Sequence, residues 1–294
     1  MRSPGASATA AKSSALRAAR AASPWVDRLG RVGQTAHGVV YFLVGVIALE
    51  AAAGVAGPPT GAAGAFARIA RASGRPMLAV LTLGSMTYAV WQGFRAIANP
   101  DDTPGNRYGM WRRLGWACTA AAYAAVTVTA ARALCVPSRV VSEDAMARRS
   151  TALALSAPYG RWLLLLVSCG IIAAGGGILW QGWRSRHDLE IDRSSMTRPT
   201  RQWMTVIRRV GYSARGVMLV VIGVFVVLAA FTVDPRRAHG FGGALRELQS
   251  PPWLLGIVAC GLMAYGVYEI AVAWLRRPSI AARREMTRSR KSTG

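Results

Sequence analysis

His37, Arg215 and Glu269 are the ionisable side chains set deepest in apolar stretches of this 294-residue chain, and Gln92 and Gln181 stand at positions related to Glu269. An arginine facing a glutamate in lipid can form an ion pair, or hold an ion, a proton or a headgroup. Arg215 belongs with Glu269, His37 with Gln92, and Thr119 with Gln181. Charge and counter-charge vanish together across the three pairs. The expectation is therefore that each pair bonds across its own two helices, with Arg215 and Glu269 as an ion pair. One charge left alone in lipid costs several kcal/mol. Two meanings stay open: glue between helices, or a binding site near the inner end of a central axis. Arg215 could also snorkel to lipid phosphate.

Other chemistry finds little support. There is no His-Glu-x-x-His, Gly-x-Ser-x-Gly, phosphate loop or dinucleotide fingerprint, so no enzyme and no cofactor are expected. Cys118, Cys169 and Cys260 lie in apolar stretches and Cys135 just past one, without metal-ligand spacing, so no metal is expected either. His187 and His239 fall in loops, and Asp101-Asp102 follows Pro100 as a solvated turn.

The elements that position the polar residues are repeats. Arg31-Val32-Gly33-Gln34-Thr35-Ala36-His37-Gly38 returns as Arg209-Val210-Gly211-Tyr212-Ser213-Ala214-Arg215-Gly216, and more weakly as Arg113-Leu114-Gly115-Trp116-Ala117-Cys118-Thr119-Ala120. Each phrase opens an apolar run. Six runs, near 36–54, 76–94, 114–131, 162–181, 216–233 and 253–274, are each about 18 to 24 residues long, enough to cross a bilayer as helices. Gly84-Ser85-Met86-Thr87-Tyr88 matches Gly261-Leu262-Met263-Ala264-Tyr265, and Trp91-Gln92-Gly93 matches Trp180-Gln181-Gly182. Repeat two carries three extra residues, best placed at Gly175-Gly176-Gly177, where a bend or a close approach is expected, with the bend favoured. Gly33, Gly38, Gly211 and Gly216 suit close helix packing.

Between the two helices of each repeat runs an echoing connection: Gly64-Ala65-Phe66-Ala67-Arg68-Ile69-Ala70-Arg71, then 151–155, then Gly243-Ala244-Leu245-Arg246-Glu247-Leu248. The spacing of Phe66, Ile69 and Ala70 predicts short amphipathic helices on the outer interface, ended by Gly or Pro. Glu50 is expected to reach that interface too. Trp25, Trp111, Trp116, Trp162, Trp253 and Trp274 are placed as interfacial anchors.

The net charge is +23, and 52% of residues are hydrophobic. Arginines crowd alternate loops and both tails, about 24 basic residues on one side against about 11 on the other, which puts both termini in the cytoplasm. Anionic phospholipid headgroups and the bilayer are the expected partners. Nucleic acid is not, because no basic soluble domain exists to display the charge.

With these motifs on the page, the Arg-x-Gly-x-x-Ala-Arg/His-Gly start, the Gly-Ala-Phe/Leu connection and the Gly-Leu-x-Ala-Tyr second helix resemble the bacterial family called domain of unknown function 1206. The resemblance covers roughly residues 25–277 and implies an integral protein of the bacterial plasma membrane, with no activity attached. The expected fold is all-α: six transmembrane helices as three tandem parallel hairpins about a pseudo-threefold axis. Its divisions are a basic tail 1–24, hairpins 25–102, 103–192 and 193–277, and a second basic tail 278–294. The functional expectation is a non-catalytic structural, scaffolding or lipid-interacting protein; the alternative is a transporter or channel along the axis.

Overall fold

An apolar run with few helix breakers closes its backbone hydrogen bonds within itself, and that requirement shapes the whole chain. The computed structural model describes residues 23–55, 57–98, 107–135, 142–184 and 198–275. Both tails, Asp101-Asp102 and His187 lie outside the described residues, as do the side chains of Trp25, Ile69, Ala70, Arg71 and Cys135. The helices are α1 (Ser23–Ala52), α2 (Ala62–Ala98), α3 (Arg107–Cys135), α4 (Glu143–Leu155), α5 (Gly160–Trp183), α6 (Arg198–Thr232), α7 (Phe241–Glu247) and α8 (Pro252–Leu275). No strand occurs among the described residues.

Five of these helices are long and apolar enough to cross a membrane: α1, α3, α5, α6 and α8. The run expected at 76–94 is the second part of α2, whose Thr82, Ser85, Thr87, Tyr88 and Gln92 make it milder than the others. The first part of α2 is the connection of repeat one. It ends at Gly74, where φ is +78°, a left-handed conformation that glycine adopts without strain.

The helices form a horseshoe. α2 packs on α1 and α3, α1 packs on α8, α8 on α6, and α6 on α5. Among the described residues no packed seam joins α3 to α5, the two helices of repeat two. Glycines account for this difference between repeats. A Cβ on Gly33 would meet the Tyr88 backbone nitrogen at 2.6 Å, and one on Gly211 would meet that of Tyr265 at 2.6 Å. Gly84 lies equally close to Ala36, and Gly261 to Ala214. In repeat two the equivalent Gly115 has nothing within 4 Å.

The Gly175–Gly177 triplet makes the close approach rather than the favoured bend. α5 runs as one helix from Gly160 to Trp183. Gly175 and Gly216 face each other, each Cβ position 2.9 Å from the other's carbonyl oxygen, while Gly176 and Gly177 meet open space.

The connections of repeats one and three turn their apolar side into the bundle, while in repeat two Leu153 of α4 is exposed. Phe66 in α2 and Ala244 and Leu245 in α7 are buried in one core cluster with Val40, Val44, Met218 and Leu255, so they fill that end of the bundle. Burying Phe66 and Leu245 there removes two large apolar side chains from water. Arg68 does reach outward, where it pairs with Glu50 at 2.6 Å. Trp111, Trp162, Trp253 and Trp274 are exposed.

Candidate functional site

The helix register decides which polar residues meet. Gly211 lies against Tyr265, and α6 and α8 run in opposite directions, so one turn beyond each leads away from the other. Arg215 and Glu269 are thereby set about 12 Å apart along the helices, at 1.5 Å per residue. The expected Arg215–Glu269 ion pair is not formed. Arg215 Nη1 donates instead to the Tyr265 hydroxyl, and Glu269 Oε2 accepts from Gln34 Nε2 of repeat one at 3.0 Å. The same register separates His37 from Gln92. His37 stacks on Tyr88, with ring centroids 4.2 Å apart.

His37 and Arg215 are repeat equivalents, and so are Tyr88 and Tyr265. In repeats one and three the first-helix residue therefore meets a tyrosine of the second helix, by stacking in one and by a hydrogen bond in the other, one turn short of the amide or carboxylate expected. Repeat two has no such tyrosine: the two possible registers place Ala174 or Gly177 there. Its Thr119 turns back to the Gly115 carbonyl at 2.8 Å.

Between hairpins the polar contacts converge. His37, fully buried, meets the Tyr123 hydroxyl of repeat two through Nδ1 and the Tyr265 hydroxyl of repeat three, 3.2 Å away, through Nε2. Arg215 can only donate, so the Tyr265 oxygen accepts from it and turns its own proton to His37 Nε2. His37 Nδ1–H then donates to Tyr123. This is one of two tautomers that satisfy the network; in the other, Tyr123 donates to Nδ1 and Nε2–H donates to Tyr265. Tyr41 packs edge-on against His37 and Tyr265, and Tyr212 against Tyr265. The chain Arg215–Tyr265–His37–Tyr123 thus ties all three repeats together.

Of the residues the sequence singled out, His37, Arg215 and Glu269 belong to this region. Gln92 is buried, with no hydrogen-bond partner for its Oε1, and Gln181 is half-buried, its carbonyl accepting from Arg208 Nη1 at 3.2 Å. The tyrosines escaped notice, although Tyr41 and Tyr123 recur at one offset and Tyr88 and Tyr265 at another.

A second polar centre lies at the opposite end and was also missed. Glu143 Oε1 caps α2 by accepting from Ala63 N at 3.1 Å. Asp144 Oδ1 accepts from Gly240 N at 2.8 Å and Gly243 N at 2.9 Å, and Oδ2 pairs with Arg246. An acidic pair of repeat two thereby holds the connections of repeats one and three. Burial pushes the Glu143 carboxyl up, as does the charge of Asp144, against the lowering pull of the Ala63 amide. His239 approaches Glu247 at 3.8 Å beside this centre.

No group of three or more metal-ligating residues occurs among the described residues. Long apolar helices gathered around buried polar side chains define a membrane protein built from three repeated units. The chain belongs to the family described as Domain of Unknown Function (DUF1206), whose model matches residues 32–99, 114–185 and 210–276. It is 32% identical over 254 residues to the uncharacterized protein YxxB of Bacillus subtilis (strain 168), covering 84% of this chain and 90% of that protein. No solved structure matches it.

Proposed function

We propose that this is a non-catalytic, lipid-interacting protein of the bacterial plasma membrane. It has six spans in three parallel hairpins about a pseudo-threefold axis, with both termini cytoplasmic. One observation carries the reading: arginines stack on tryptophans around the end of the bundle that bears the termini. Arg95 lies over Trp116 at 4.4 Å and Arg112 over the same ring at 5.1 Å. Arg184 lies over Trp180 at 5.2 Å and Arg209 over Trp183 at 5.6 Å. Trp180 and Trp183 are exposed. An indole at headgroup depth anchors the helix, and a guanidinium held on it offers planar donors to phosphate. Such a belt selects anionic lipid by charge.

The convergence of His37, Tyr123, Tyr265 and Arg215 favours a second reading, a path for an ion, lipid or small solute along the axis. The buried Phe66 and Leu245 stand in such a path, which weighs against it. The test uses spin-labelled lipids with the protein in membranes of equal zwitterionic and anionic phospholipid. The proposal expects anionic label to be enriched around the protein, and the enrichment to fall when Arg95, Arg112, Arg184 and Arg209 are changed to Gln together. Equal immobilisation of both labels would remove the proposal.

A further inference from the structure

Among the described residues no packed seam joins α3 to α5, and a cation lies inside the horseshoe that these two helices end. On α6, Gly211 and Ala214 face α8, where Tyr265 and Gly261 lie, while Gly216 and Val220 face α5 at Gly175. Arg215 sits in the arc between these two faces, directed to the interior of the horseshoe. It is half-buried where its neighbour His37 is wholly buried. Its Nη1 is given to Tyr265, its Nε is buried without a hydrogen-bond partner, and no carboxylate lies within ion-pair distance among the described residues.

Four facts coincide at this place. A cation holds an unspent donor. Tyr265 and Tyr41 wall it, their ring centroids 4.9 and 5.5 Å from its guanidinium carbon. The axis is filled at the connection end, so no approach comes from there. The opening lies between two spans whose outward surfaces are apolar, with Leu163, Leu166, Val167 and Val128 exposed. A soluble anion would have to cross those surfaces without a counter-charge. An amphiphile crosses them with its tails in lipid throughout.

We propose that the opening between α3 and α5 is a lateral site for one anionic glycerophospholipid, its phosphate on Arg215 and its acyl chains leaving between the two helices of repeat two. This rests on the lipid-interacting reading above and narrows it to one molecule at one place. It also gives repeat two's divergence a use. Loss of the tyrosine and of the Gly115 contact parts α3 from α5, and the parted hairpin is the entrance.

The test is native mass spectrometry of the full chain from membranes of equal phosphatidylcholine and phosphatidylglycerol, followed by stepwise delipidation. One phosphatidylglycerol should outlast the rest on the unaltered chain and on the Arg95, Arg112, Arg184 and Arg209 to Gln variant. Arg215→Gln should lose it at least tenfold sooner, and Arg215→Lys should retain it. In parallel, phosphatidylglycerol with a photoreactive acyl chain should label α3 and α5. Adducts spread evenly over α1, α2 and α8 would overturn the site, as would a retained lipid indifferent to Arg215→Gln, or retention of free phosphate instead. Because the belt variant is scored separately, loss of annular selectivity with the tight lipid kept would sink only the broader reading. The labelling also judges the site if Arg215→Gln fails to fold.

Discussion

Gln34 and Glu269 stand 235 positions apart in sequence and 3.0 Å apart in space, the amide of the first helix of repeat one donating to the carboxylate of the last helix of repeat three. The bond joins α1 to α8, the first and last described helices. Glu269 is only 6% exposed, so its charge depends on donors that other helices bring. Gln34→Leu removes one of them and is expected to destabilise the protein by about 1–2 kcal/mol, read as a lower midpoint in dodecyl sulfate titration. Gln34→Glu places a second carboxylate there and should cost more.

Glycine substitutions supply a test with its own control. Gly33→Ala and Gly211→Ala drive a methyl into the backbones of Tyr88 and Tyr265, and each should cost about 1–3 kcal/mol. Gly115→Ala, at the equivalent place in repeat two, meets nothing within 4 Å. It should be neutral, or stabilising by up to about 1 kcal/mol through helix propensity. The same titration applied to the three variants checks this, and equal effects would mean that repeat two is closed like the others.

Asp144 holds two amides and Arg246 from a buried position. Asp144→Ala leaves all of them without that acceptor and is expected to cost about 3–5 kcal/mol. Proteolysis of the α4 and α7 connections should quicken in step. Glu247→Gln, at a half-exposed partner of His239, should change stability by less than about 0.5 kcal/mol.

The Glu143 carboxyl has a native pKa raised by burial. The folded protein therefore holds this proton at pH values where the unfolded chain has released it. Stability is greatest below the ordinary glutamate range, falls as pH rises toward the native value, and is level above it. Glu143→Gln keeps an acceptor for Ala63 N–H but removes the slope. Thermal midpoints from about pH 4 to about pH 8 should show the unaltered chain losing ground to Glu143→Gln as pH rises, and parallel curves would refute it.

Much of the architecture was legible because membrane helices announce themselves by length and because the repeats fix which residues correspond. Gly33 and Gly211 announced close packing, and close packing is what they do. The polar partners were not legible, for a geometric reason. Pairing Arg215 with Glu269 needed the vertical register of two antiparallel helices, which the Gly211–Tyr265 contact sets and the sequence does not state. Tyr88 and Tyr265 were visible only as matching repeat positions, though a buried phenol needs a hydrogen-bond partner and a histidine supplies one. Phe66 and Arg68 marked the first connection as amphipathic, but not that Phe66 joins the core of the bundle or that Glu50 takes Arg68. Glu143 and Asp144 could be found only once three connections were seen to meet.

The central claim is that hydrogen bonds across the axis lock the three repeats to one another. The most direct measurement is a double-mutant cycle on His37→Phe and Tyr265→Phe, with free energies from dodecyl sulfate unfolding of the full chain. The two changes should be coupled by about 0.6 kcal/mol or more, the scale of hydrogen bonds between membrane helices, and the His37→Phe with Tyr123→Phe cycle should show coupling of the same sign. Strict additivity in both cycles would contradict the claim and leave the three hairpins held by glycine packing alone.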